Sequence, residues 1–71
     1  MEFHPVVVEQ AKGFLHEVLN ISVADAYGLL CRYAQANDYQ PTTLVSKQLI
    51  TEPHTRPTIL AVMREMMDAP S

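Results

Sequence analysis

Apolar residues recur three and four positions apart through most of this chain, and the recurrence breaks at three places. Val7, Val8, Ala11, Phe14, Leu15, Val18 and Leu19 form one wide apolar face. Glu9, Lys12, Gly13, His16, Glu17 and Asn20 fall opposite, so the spacing predicts a helix from about Pro5 to Asn20. Pro5 fits the first turn, where its missing N–H would have no partner anyway. The run Val6-Val7-Val8 has strand propensity, but no later segment offers a strand to pair with it. A second helix starts after Ser22-x-x-Asp25, which resembles a capping box with an acid in place of the usual Glu or Gln. Its predicted buried stripe is Ala26, Tyr27, Leu30, Tyr33 and Ala34, with Val23 and Leu29 at the edge. Gly28 inside this helix costs about 1 kcal/mol relative to Ala. Either a close approach by the first helix or simple tolerance accounts for it.

The segment "NDYQPTT" ends the second helix at Asn37 or Asp38, because Pro41 disfavours a helical conformation at Gln40. A third helix then begins near Thr42 or Thr43 and carries Leu44, Val45, Leu49 and Ile50. "TEPHTRP" is the next break, and Pro57 fits the first turn of a last helix with Ile59, Leu60, Met63, Met66 and Met67 as its stripe. The expected fold is all-α, four short helices in one domain over residues 1–71, with no repeat and no long linker. A chain this short with so wide a first stripe needs a cover for it, either the fourth helix or a partner.

Composition narrows the function. At 71 residues the chain is one domain at most, and 48% apolar content is ordinary for a globular one, which excludes disorder. The net charge of −3 opposes general binding to phosphate backbones and leaves room only for a local basic patch. Cys31 is the single cysteine and fits a reducing cytoplasm. No signal peptide opens the chain, and no apolar run reaches the ~18 residues of a membrane span; Met1 is read as an independent start. His4, His16, His54 and Cys31 lack metal-ligand spacing, and no nucleophile–base order is recognisable, so neither a metal, a cofactor nor an enzyme is expected. The methionines read as core or interface filler.

The residue order from Val7 to about Ile50 resembles the ANTAR family, small three-helix RNA-binding modules of bacterial antitermination regulators. "VVEQAKGFL" is similar to its first-helix motif: an apolar pair, two polar residues, Ala-Lys-Gly, then an apolar residue and Leu. "NISVADAYGLLCRYAQ" is similar to its turn and second helix, with Ser as cap, Ala before an aromatic, and Leu30 and Arg32 before Ala34. "TTLVSKQLI" matches the third helix more weakly, where Val-Ala is usual. On this resemblance the ANTAR-like core covers about residues 6–52, with an extra C-terminal helix at about 57–68.

The resemblance implies that small residues let the helices pack tightly, and that residues around Ala-Lys-Gly and helices two and three face RNA. Such modules typically act as dimers, each copy engaging one of two hairpin loops in a leader transcript and so preventing a terminator from forming. They usually follow a receiver or sensor domain, so a sensor or receiver protein is an expected partner alongside RNA and a second copy. The candidate RNA-binding residues are Lys12, His16, Arg32, Lys47 and Tyr39. Lys12 and His16 lie one turn apart and serve a phosphate or loop base, or else are merely solvated. Arg32 offers a planar guanidinium to a base, or else pairs with an acid on a neighbouring helix. Lys47 projects from an exposed face, and Tyr39 stands in a loop where it can stack on an unpaired base. Lys12 and Arg32 are expected to converge on one nucleotide loop.

Several departures favour a rival reading, an ANTAR-like protein–protein or dimerisation module without RNA binding. Pro5 stands where relatives carry Arg, His16 where Met is common, and "NDYQPTT" holds an acid and no Lys or Arg. Helix-turn-helix DNA binding ranks last, since the third helix offers only Lys47 and Gln48 for base contacts.

Overall fold

The computed structural model describes residues 6–38 and 41–68. It holds four helices: α1 (Val6–Leu19), α2 (Val23–Ala36), α3 (Thr42–Ile50) and α4 (Arg56–Asp68), with no strand among the described residues. The expected all-α fold, a three-helix bundle with a fourth C-terminal helix, is the observed one. Helix α1 packs most extensively on α3 and then on α2, while α4 lies against α3 and α2. The cover for the wide α1 stripe is therefore mainly α3, with α2, and α4 adds a smaller part through Arg56 on Phe14.

One apolar cluster joins all four helices. Val8, Ala11, Leu15 and Leu19 meet Ala26, Leu29, Leu30, Ala34, Val45, Leu49, Ile59 and Met63. Ala11 and Ala26 are fully buried, so small residues do sit where α1 and α2 share the core. The two glycines do not. Gly13 is exposed, and a methyl group built on either Gly13 or Gly28 would meet nothing within 4 Å. Close helix packing explains neither of them.

The edges of all four predicted stripes move. Leu29 is buried rather than marginal, and Tyr27 is 43% exposed rather than in the core. Around α2 the buried direction is set by Ala26, Leu29, Leu30 and Ala34, and Tyr27 lies about 100° from Ala26, at the margin of that arc. Tyr33 is half-buried. On α3, Leu44 is exposed, and Ser46 takes an inner position. Burying a hydroxyl is costly unless it finds a partner; the Ser46 Oγ donates to the Thr42 carbonyl at 2.8 Å. Val18 and Met67 are also exposed.

Local chemistry sets the helix ends. Asn20 leaves α1 at φ 56°, a left-handed conformation that Asn tolerates better than most residues. Ser22 caps α2, its Oγ accepting from the Asp25 N–H at 3.0 Å. Asn37 closes α2 by donating from its backbone and its side chain to the Tyr33 carbonyl, and Asp38 follows at φ 63°. Pro41 precedes α3 in an extended conformation.

The connection from α3 to α4 satisfies all four carbonyls that a helix C-terminus leaves open. Thr51 donates to the Lys47 carbonyl from its N–H at 2.8 Å and its Oγ1 at 2.7 Å. The Thr55 Oγ1 donates to the Gln48 carbonyl at 2.8 Å. Arg56 donates from Nε to the Leu49 carbonyl at 2.7 Å and from Nη2 to the Ile50 carbonyl at 3.2 Å. The same guanidinium lies 5.1 Å from the centre of the Phe14 ring on α1. One side chain thus ties three helices together.

Candidate nucleic-acid interface

Lys12 stands on α1 where its stem lies along α2. Its side chain is only 18% exposed, and Nζ sits 2.9 Å from the Glu9 Oε1 one turn earlier. Nζ is also 5.5 Å from the centre of the Tyr27 ring. A lysine buries its methylenes and keeps its ammonium at the rim, and an aromatic face attracts that charge. The outcome is a shallow, open groove lined by Lys12, Val23, Ala24 and Tyr27. Val23 and Tyr27 are exposed apolar side chains, so the groove presents a flat ring, aliphatic surface and a held cation together. Unpaired RNA bases are recognised by such stacking surfaces, with nearby cations for the phosphates.

His16 lies one turn beyond Lys12 and is exposed, but its ring is already engaged. Nδ1 stands 2.6 Å from the Ile21 carbonyl, which can only accept, so Nδ1 carries the proton and the ring pins the α1–α2 turn. Only Nε2 remains for another partner. Arg32 lies about 140° around α2 from Tyr27, on the basis of 100° per residue. Its Nη2 makes a long contact, 3.5 Å, with the Met66 carbonyl near the end of α4. Lys12, over Tyr27, and Arg32 therefore lie on different sides of α2 and do not converge as expected. Lys47 is exposed on α3, away from buried Val45, Ser46 and Leu49. Tyr39 lies outside the described residues, as do His4 and Pro5.

The structure brings Lys12 together with Tyr27, which sequence reasoning had assigned to the core. Tyr27 stands four residues after the exposed Val23, on the side of α2 that the groove shares. Among the described residues no three His, Cys, Asp or Glu side chains come together as metal ligands. No described helix is long and apolar enough to cross a membrane.

The family model described as "ANTAR domain" matches residues 4–44, more than half of the chain. The chain belongs to the ANTAR family. The match spans α1, α2 and the start of α3, and it takes in the whole Lys12–Tyr27 groove. ANTAR domains are RNA-binding antitermination modules, regulatory rather than enzymatic. No curated protein and no solved structure matches the chain.

Proposed function

We propose that this ANTAR chain binds hairpin loops of leader transcripts in the cytoplasm and acts in transcription antitermination, with two copies engaging two loops. The observation that carries the reading is the Lys12–Tyr27 groove, an exposed ring with a cation held over it inside the family-matched segment. Tyr27 stacks on an unpaired base, Lys12 meets the adjoining phosphate or base edge, and His16 adds its free Nε2 at the end of the same face. Lys47 on α3 and Tyr39 are secondary contacts, while Arg32 lies on another side of α2. A sensor or receiver protein would supply the input signal.

Gly13 supports the same surface. It sits exposed in α1 beside Lys12, weakens its helix, and has no packing reason among the described residues. A backbone open to close approach suits a ligand that lies flat on the helix. Gly13→Ala is expected to raise stability by about 0.5–1 kcal/mol, since the added methyl is unobstructed. The same change is expected to weaken RNA binding. Thermal melts and binding curves on one preparation check both halves, and an unchanged RNA affinity removes Gly13 from the interface.

Filter binding or gel shift with a tandem-hairpin leader RNA tests the function itself. Binding to paired hairpins and not to their scrambled loops is the expected result. Few cations take part, so the slope of log K against log salt is expected to be about −2 or shallower, at ~0.7 per phosphate neutralised. No RNA binding by folded, dimeric protein would sink the proposal and leave the protein–protein module, which the net charge of −3 favours.

A further inference from the structure

A second groove lies on the other side of α2, between that helix and the end of α4. Ile21, Ala24, Gly28, Leu29 and Met67 line it, with Asp25 and Arg32 at its two ends. Met67 is 42% exposed, and the space over Gly28 is open. Among the described residues the Asp25 carboxylate makes no ion pair, and Arg32 makes only its long contact with the Met66 carbonyl.

Asp25 and Arg32 are seven residues apart, which is two turns, about 10 Å along the axis and about 20° of rotation. They flank the midpoint between Gly28 and Leu29 evenly. A twofold axis level with that midpoint, perpendicular to α2 and running between the two copies, places Asp25 of one copy opposite Arg32 of the other, and Arg32 opposite Asp25. The groove is its own electrostatic complement, as an isologous interface requires. The small residues Ala24 and Gly28 let the two α2 backbones approach, and each Met67 finds apolar ground across the axis. The Arg32 guanidinium has five donors, so a partner carboxylate can join the Met66 carbonyl without displacing it.

We infer that the α2–α4 groove bounded by Asp25 and Arg32 binds a second copy of this chain, with the two α2 helices antiparallel across Gly28. The inference deepens the dimeric part of the proposed function and rests on that reading only there. Ala24 borders both grooves, but Tyr27 lies about 140° around α2 from Arg32, so the Tyr27 ring and the Lys12 ammonium stay uncovered. The dyad also keeps them on one side of the dimer.

Sedimentation velocity over a concentration series, without RNA, tests the interface. Wild-type protein is expected to self-associate into a dimer. Asp25→Arg and Arg32→Asp, each verified as folded by circular dichroism, are each expected to weaken dimerisation at least about tenfold, because two like-charge contacts replace two attractive ones. The double exchange Asp25→Arg/Arg32→Asp is expected to restore it to within about threefold of wild type, since the pairs re-form with signs reversed. A wild-type chain monomeric up to about 0.5 mM, near the millimolar weak end of the affinity scale, would overturn the inference. So would dimers indifferent to the single reversals, or a double exchange that fails to recover. Failure of RNA binding by an intact dimer would instead count against the groove at Lys12.

Discussion

Arg56→Ala is expected to cost this domain about 3 kcal/mol, a large part of the roughly 4–10 kcal/mol available to a chain of this length. Two charge-assisted hydrogen bonds end, and the Leu49 and Ile50 carbonyls at the α3 C-terminus lose their donors. The contact with the Phe14 ring goes with them. A cation in the first turn of α4 is unfavourable to that helix by itself, at about 0.3–1 kcal/mol. Its guanidinium is aimed instead at the negative end of α3, where the same charge is favourable. Thermal or urea unfolding monitored at 222 nm checks the prediction, with a fall of roughly 10–20 °C in Tm. Arg56→Lys is expected to recover only part of the loss, because one ammonium cannot reproduce the planar fork. A Tm within about 3 °C of wild type for Arg56→Ala would show that the clamp contributes little.

Tyr27→Ala is expected to lower affinity for the hairpin RNA about ten- to a hundredfold, the range for losing one base–aromatic stack. The same substitution is expected to leave the fold nearly intact. The ring is 43% exposed, and its one specific internal contact is with the Lys12 ammonium. A surface cation–π contact of that kind is worth about 0.5–1 kcal/mol. Tyr27→Phe keeps a stacking face and is expected to bind within about threefold of wild type. Lys12→Ala is expected to fall between them, since it removes charge and also frees the ring. Equal RNA affinity for wild type and Tyr27→Ala would remove the stacking platform from the interface.

The helices and most of the core were legible because they rest on local order. Ser22 announced the start of α2, and the spacing of Val8, Ala11, Leu15 and Leu19 marked the inner side of α1. Three features escaped. Tyr27 lies at a stripe margin, where a rotation of a few tens of degrees decides between core and surface, and periodicity does not resolve that. Ser46 reads as a polar residue, yet its hydroxyl satisfies itself one turn back and the residue packs like an alanine. Arg56 acts through carbonyls six and seven residues away and a ring on another helix, contacts that appear only once the chain turns back.

The candidate site was legible in part. Lys12 and the Ala-Lys-Gly motif led to the α1 side of the groove, but not to the ring beneath the ammonium. Arg32 looked like its partner cation because both occupy family-like positions. The helical wheel separates them, and α4, whose position no local pattern announces, occupies the far side.

RNA is expected to lie on the Lys12–Tyr27 groove. An amide chemical-shift titration of isotope-labelled protein with a single leader hairpin tests it residue by residue. The expected result is a cluster of saturable shifts at Lys12, Gly13, Val23, Ala24 and Tyr27, with the α3–α4 turn around Arg56 unmoved. Saturable shifts centred on α4 with the groove silent, or no shifts at all from folded protein, would contradict it.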